Sequence, residues 1–345
     1  MLDLISHVIQ ISSRRDRTEI NSAMVDALKS LFHPQRLTIY RCYTGTRKPI
    51  VFACASHGPN GKQVNNAYLP DKKYCTPLER DPLLARCRKE RSAVLDYLPD
   101  GSHRVVFPVM HRNEPIYLID LSLADTFSAD QRVTLMGLIE YFSNHISLLD
   151  YGETDTLTEL SNRKTFDKHL FELLGNPSPD ADAGSPENRR GGANGHPHWL
   201  AVCDIDHFKR VNDTFGHLIG DEVLILIAQV MRQSFRFDDH LFRFGGEEFV
   251  ALLQPMTEHA AIATLERFRS NVEKQSFSRV GKITVSIGFS ALVLHDTPTN
   301  AIDRADEALY FAKRNGRNQV ACYEQLVGAG SLAAKDFATG EVEMF

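Results

Sequence analysis

At 345 residues the chain is long for one hydrophobic core, so two domains are expected. Its 43% hydrophobic and 24% charged content is that of an ordinary soluble globular protein. The formal charge of −5 speaks against a general nucleic-acid binder, but a few local cations suffice for small-molecule phosphate chemistry.

The opening stretch, MLDLISHVIQISSRRDR, lacks a basic region ahead of its apolar residues, and no apolar run is long enough to cross a bilayer. A cytoplasmic protein with no membrane partner is therefore expected. The six cysteines (Cys42, Cys54, Cys75, Cys87, Cys203, Cys322) show no CxxC spacing, which suits free thiols better than disulfides or a zinc site.

Two helical patterns fill residues 1 to about 33; in the second, Ile20, Met24, Ala27, Leu28 and Leu31 recur at helical spacing. Strand-like segments follow at 36–43, 49–55, 104–110 and 115–123, with a helix, PLERDPLLARCRKE, between the second and third. This order describes an α+β domain over 1–127 with helices packed on an antiparallel sheet. It resembles a GAF-type sensory domain in element order, with no diagnostic motif. No haem or metal spacing tells what it would sense, so a small molecule and a partner protein are both open.

A connecting helix is expected over 128–154, capped by Ser128 with Gln131 three residues on. Its Leu135, Ile139, Phe142, Ile146 and Leu149 form a heptad stripe. Two readings stand side by side: a helix packed on its own domain, or a two-stranded coil joining two copies. Residues 175–197 (GNPSPDADAGSPENRRGGANGHP) read as a flexible insertion, and 326–345 as a tail.

Between them the pattern alternates. HWLAVCDI is a buried strand, DEVLILIAQVMRQSF a helix, LFRF and EFVALL a hairpin, HAAIATLERFRSNVEKQ a helix, KITVSIGFSAL a strand, and NAIDRADEALYFAKRNG a helix ending at Gly316. That order gives an α/β domain with a ferredoxin-like core. Gly245 and Gly246 suit the centre of a primed turn in which both residues have positive φ. Glu247 and Glu248 leaving that turn break the strand pattern, as functional sites tend to. Asp204 and Asp206 end the buried strand, and only one of them is expected to be a ligand. Asp204, Glu247 and Glu248 would make an all-oxygen site suited to Mg²⁺ on a phosphate; equally, they are ordinary edge charges.

The stretches DTLTELSNR, DIDHFKRVNDTFGHLIGDEVL, RFDDHLFRFGGEEF, TVSIGFS and ADEALYFAKRNGRNQV resemble, in order, the signatures of the GGDEF family of diguanylate cyclases over 155–325. The resemblance implies condensation of two GTP molecules into cyclic di-GMP by a homodimer. It implies Mg²⁺ or Mn²⁺ held by Asp204, the Ile205 carbonyl, Glu247 and Glu248, with Phe208, Lys209, Lys313 and Arg317 around the triphosphate. Glu247, Glu248 and Lys209 are the implied catalytic groups, and Gly245 and Gly246 let the hairpin backbone reach the nucleotide. Lys313 and Arg317, four apart, are expected on one helix face. Asn212 and Asp221 would read guanine, whose N1–H and N2–H₂ a carboxylate accepts and adenine does not offer. Arg236, Asp239 and Arg267 match an inhibitory site for the product.

One departure is Glu159, where the family usually has Gly, which is expected to alter the geometry of the domain's entry rather than its chemistry. His207, His217 and His240 read as fillers. The competing function is a receptor for GTP or cyclic di-GMP that no longer turns over, against which the complete acidic and cationic set speaks. No hydrolase segment is present in the sequence.

Overall fold

A computed structural model describes residues 2–43, 49–67, 72–111, 113–175, 195–293 and 296–333. Most of the expected insertion and the end of the expected tail thus lie outside the described residues. The chain divides into two compact units, Met1–Gly152 and Glu153–Phe345.

The first unit opens with α1 (Leu2–Ser12) and α2 (Arg17–Phe32), the latter capped by the Asp16 carboxylate on the Thr18 and Glu19 amides. Among the described residues, seven antiparallel strands follow: β1 (Arg36–Tyr43), β2 (Ile50–Gly58), β3 (Gly61–Val64), β4 (Cys75–Pro77), β5 (Val94–Tyr97), β6 (His103–His111) and β7 (Glu114–Leu123). They lie in the order β3-β2-β1-β7-β6-β5, with β4 also on β2. The short β3, β4 and β5 escape the sequence pattern because three or four residues carry too little alternation to read. The single helix expected from Pro77 is broken instead. A 3₁₀ turn at Leu78–Arg80 precedes α3 (Pro82–Glu90), and Asp81 caps α3 on the amides of Leu83 and Leu84.

Helix α4 (Ala129–Glu153) starts with the anticipated box: the Gln131 amide donates to Ser128 Oγ and the Ser128 amide to Gln131 Oε1. Its stripe is not a free coil seam. Leu135, Ile139, Phe142 and Ile146 are buried with Ile20, Met24, Leu28, Ile119 and Tyr117, and Leu149 packs at the margin. The apolar faces of α1, α2 and the sheet need a cover, and the stripe supplies it.

The second unit contains β8 (Ser161–Asn162), α5 (Arg163–Gly175), β9 (Trp199–Ile205), α6 (Phe208–Phe215), α7 (His217–Ser234), β10 (His240–Gly245) and β11 (Glu248–Leu253). It continues with α8 (Glu258–Lys274), β12 (Val285–Ala291), α9 (Pro298–Arg314), β13 (Val320–Cys322) and α10 (Tyr323–Gly328). The expected tail boundary at 326 therefore cuts through α10. The sheet order is β13-β12-β9-β11-β10-β8. From β9 to β12 the chain runs β-α-β-β-α-β with the strands placed fourth, first, third, second, which is the ferredoxin-like core.

Strand alternation divides this sheet cleanly. Ala201, Cys203, Phe249, Ala251, Ile287 and Phe289 face a core closed by α7 and α8. Leu200, Val202, Val250 and Leu252 face the opposite side, with Phe166 of α5 and Ala301, Ala305 and Leu309 of α9. On that side Gly288 lets α9 approach closely: a Cβ there would stand 2.0 Å from the Leu309 nitrogen and 2.2 Å from the Ala305 oxygen.

Candidate active site

Parity carries Asp204 and Glu248 to the α9 side of the sheet, continuing the faces of Leu200–Val202 and Val250–Leu252. They are register partners across β9 and β11, and like charges directly opposed on a sheet are destabilising. Lys313, near the end of α9, answers them: its Nζ lies 2.7 Å from Asp204 Oδ2. Burial pushes the Asp204 carboxyl above its ordinary value, Lys313 draws it down, and Glu248 and Asp206 push it up again. The half-buried Glu247 is raised by burial and then by Asp204, with Lys313 opposing. Asp306, which the sequence reading did not single out, belongs to the same field. Burial, then Glu248 and Asp303, push its carboxyl up to about 6.

Asp206 lies one residue beyond the end of β9, so strand alternation does not decide its direction. What separates it from Asp204 is its set of partners. The strand ends at Ile205, and the Asp206 carboxylate accepts from Ser286 Oγ (2.7 Å), Thr284 Oγ1 (2.7 Å) and the Asn318 amide (3.1 Å). Its lone pairs are committed to protein donors, so Asp204 is the ligand candidate of the two.

The hairpin differs from the expected turn. Gly245 pairs with Glu248, so its central residues are Gly246 and Glu247, and only Gly246 (φ 52°) of these is left-handed. A register shift between Arg243 and Gly245 moves the turn on by one residue. Gly245 sits just before it at φ 140°. Arg243 braces the turn, donating to the Gly246 carbonyl from Nη2 (2.8 Å) and Nε (3.2 Å). Its Nη1 reaches Asp155 (2.9 Å), which also accepts from the Thr158 amide and hydroxyl.

After Asp206, His207 adopts a left-handed conformation (φ 60°) and supplies no side-chain cap to α6. The first-turn amides at Phe208 and Lys209 thus head an uncapped helix, a favourable place for phosphate. Phe208 is buried and Lys209 exposed. The Asn212 side chain lies against Gly220, the residue before Asp221. A Cβ on Gly220 would fall 2.0 Å from Asn212 Oδ1 and 3.3 Å from the Phe208 ring, so only Gly lets the side chain lie there, one residue from Asp221.

Arg317 does not share a helix face with Lys313. Helix α9 stops at Arg314, and Gly316 (φ 111°), Arg317 (φ 61°) and Asn318 (φ 45°) turn through left-handed backbone. Arg267 of α8 donates twice to the Ser234 carbonyl, two residues before the exposed Arg236, so the cations neighbour one corner. Asp239 is not presented to a ligand: it is buried and accepts from the amides of Arg236 (2.9 Å) and Gln254 (3.1 Å).

Among the described residues, no three acidic, His or Cys side chains converge closely enough to hold a metal ion alone. The donors nevertheless fit Mg²⁺, which commonly uses one or two carboxylates and completes its shell with substrate phosphates and water. Asp204 and Glu248 supply two opposed carboxylates whose repulsion a cation relieves.

Residues 153–319 match the family described as "Diguanylate cyclase, GGDEF domain", and the second unit is a GGDEF domain. The chain is 41% identical over 170 residues to diguanylate cyclase DgcP of Pseudomonas aeruginosa, covering 48% of this chain and 23% of that protein. It is 35% identical over 181 residues to diguanylate cyclase A of Treponema denticola, covering 51% and 46%. The matched region thus spans less than half of either relative. Among solved structures, the GGDEF domain of DgcB from Caulobacter crescentus, in complex with c-di-GMP, is 36% identical, with 50% of this chain and 96% of that one covered and a TM-score of 0.43.

Proposed function

We propose that this protein is a diguanylate cyclase that condenses two GTP into cyclic di-GMP and two pyrophosphates. The observation that carries this reading is the cluster at one end of the sheet. There Asp204 and Glu248 stand opposed with Lys313 on Asp204, beside a glycine hairpin and the uncapped start of α6. The relatives that bear the name diguanylate cyclase support it.

In each step the 3′-oxygen of one GTP forms a bond to the α-phosphorus of the other. The bond to the bridging oxygen breaks, pyrophosphate leaves, and the hydroxyl proton passes to a base. Asp204, Glu247 or Glu248, and the Ile205 carbonyl would hold Mg²⁺ or Mn²⁺, which would acidify the attacking hydroxyl and neutralise the leaving group. Lys209, Lys313 and Arg317 offset phosphate charge, and Asn212 and Asp221 select guanine. Each domain binds one GTP, so the ring closes only between two domains facing each other. Any pairing through α4 would use its other side, where Val133, Met136, Leu148 and Tyr151 are exposed.

Product inhibition is part of the proposal, with Arg236 and Arg267 as the cations and Asp239 as the brace that shapes their corner. A GAF-like regulatory role for the first unit is supported by its antiparallel sheet, with α1, α2 and α4 on one face and α3 on the other.

The test is product formation from GTP with Mg²⁺, wild type beside Glu248→Gln. Cyclic di-GMP from the wild type alone is expected, with added product slowing the wild type more than Arg236→Ala. A dimeric, nucleotide-free wild type that forms none would overturn the cyclase reading in favour of a receptor.

A further inference from the structure

The loop after α9 turns through three successive left-handed residues, two of them not glycine. Such backbone persists only where the surroundings over-determine it. Here they do so from two sides. On the sheet side the Asn318 amide donates to Asp206, whose other bonds come from Thr284 and the fully buried Ser286. On the helix side Arg269 of α8 donates to Asn318 Oδ1 (2.8 Å), and Asn318 Nδ2 donates to Glu273 (3.0 Å). Arg269 and Glu273 are themselves paired at 2.9 Å. Arg317 stands in the middle of this clamp, its own amide bound to the Ala312 carbonyl (3.0 Å).

Both anchors lie next to the site: Ala312 precedes Lys313, and Asp206 is two residues from Asp204. We infer that Asp206, Asn318, Arg269 and Glu273 are positioning residues that hold Arg317 where it meets the GTP phosphates. Resting on the cyclase reading, this gives α8 a positioning role toward the substrate and gives Asp206 a task other than metal ligation. A guanidinium on a loop loses binding energy when it must be ordered first, so the clamp acts on affinity rather than on the bond-making step.

Asn318→Gly tests it, because glycine keeps the amide and tolerates the left-handed backbone while deleting both contacts to α8. Arg269→Gln removes the same anchor from the other side, should the first variant fold poorly. Binding is read by titration with 3′-deoxy-GTP, which lacks the attacking hydroxyl, alongside KM and kcat for GTP. A rise of about tenfold in Kd and KM with kcat nearly unchanged is expected. In an Arg317→Ala background the same substitution should add nothing further. Unchanged binding in an active enzyme, or a loss confined to kcat, would overturn the inference and leave the cyclase reading standing. A wild type that neither binds nor converts GTP would overturn both.

Discussion

At the scale of single residues, Asp155 shows how one carboxylate holds a hairpin turn at a distance. It lies early in the second unit, yet Arg243 links it to the Gly246 carbonyl in the hairpin. Burial would raise its pKa, but hydrogen bonds from Thr158 and Arg243 prevail and hold it below the ordinary 3.8. A depressed acid contributes stability that is present above its unfolded value and lost as pH falls through the folded one. Asp155→Asn is therefore expected to cost about 1–2 kcal/mol at neutral pH, with the difference closing at acid pH. Denaturant titrations of both proteins at pH 7 and pH 3 check this; a gap that widens in acid would refute the assignment. Glu159 explains its own oddity. It sits at φ 57°, a conformation that glycine adopts freely and other residues adopt with strain.

Among elements, the closest fit is between α9 and β12. Gly288 leaves no room for a methyl group, and the obstructing atoms are backbone, which has no rotamer to yield. Gly288→Ala should cost about 3 kcal/mol in urea unfolding and displace Lys313 from Asp204, lowering activity as well. Unaltered stability would mean that α9 is seated elsewhere. Helix α4 teaches the complementary lesson. Its heptad stripe suits a coil or a globular core equally, and the choice rests with residues far away in sequence, such as Ile20 and Ile119.

For the whole molecule, the buried clusters of the described residues fall within one unit or the other. Phe142 is fully buried in the first, edge-on to Tyr117 with ring centroids 5.7 Å apart. Phe142→Ala should destabilise that unit by about 3–5 kcal/mol. In calorimetry the transition that GTP analogues raise should stay in place while another moves down. A single transition shifting as one would show instead that the units melt together.

The sequence by itself carried the two-unit plan, the long helices and strands, and the acids and cations proposed for the site. These are carried by local periodicity and by ordered motifs that survive without coordinates. Tertiary structure decided what depends on contacts between distant segments. A one-residue slip in pairing placed Gly246 and Glu247 at the tip of the hairpin. The close of α9 put Arg317 on a loop, where spacing alone had suggested a helix face. Hydroxyls from Thr284 and Ser286 claimed Asp206, and two backbone amides claimed Asp239. Spacing names the residues that could act, but a carboxylate serves as ligand or brace according to which donors the fold brings within 3 Å of it.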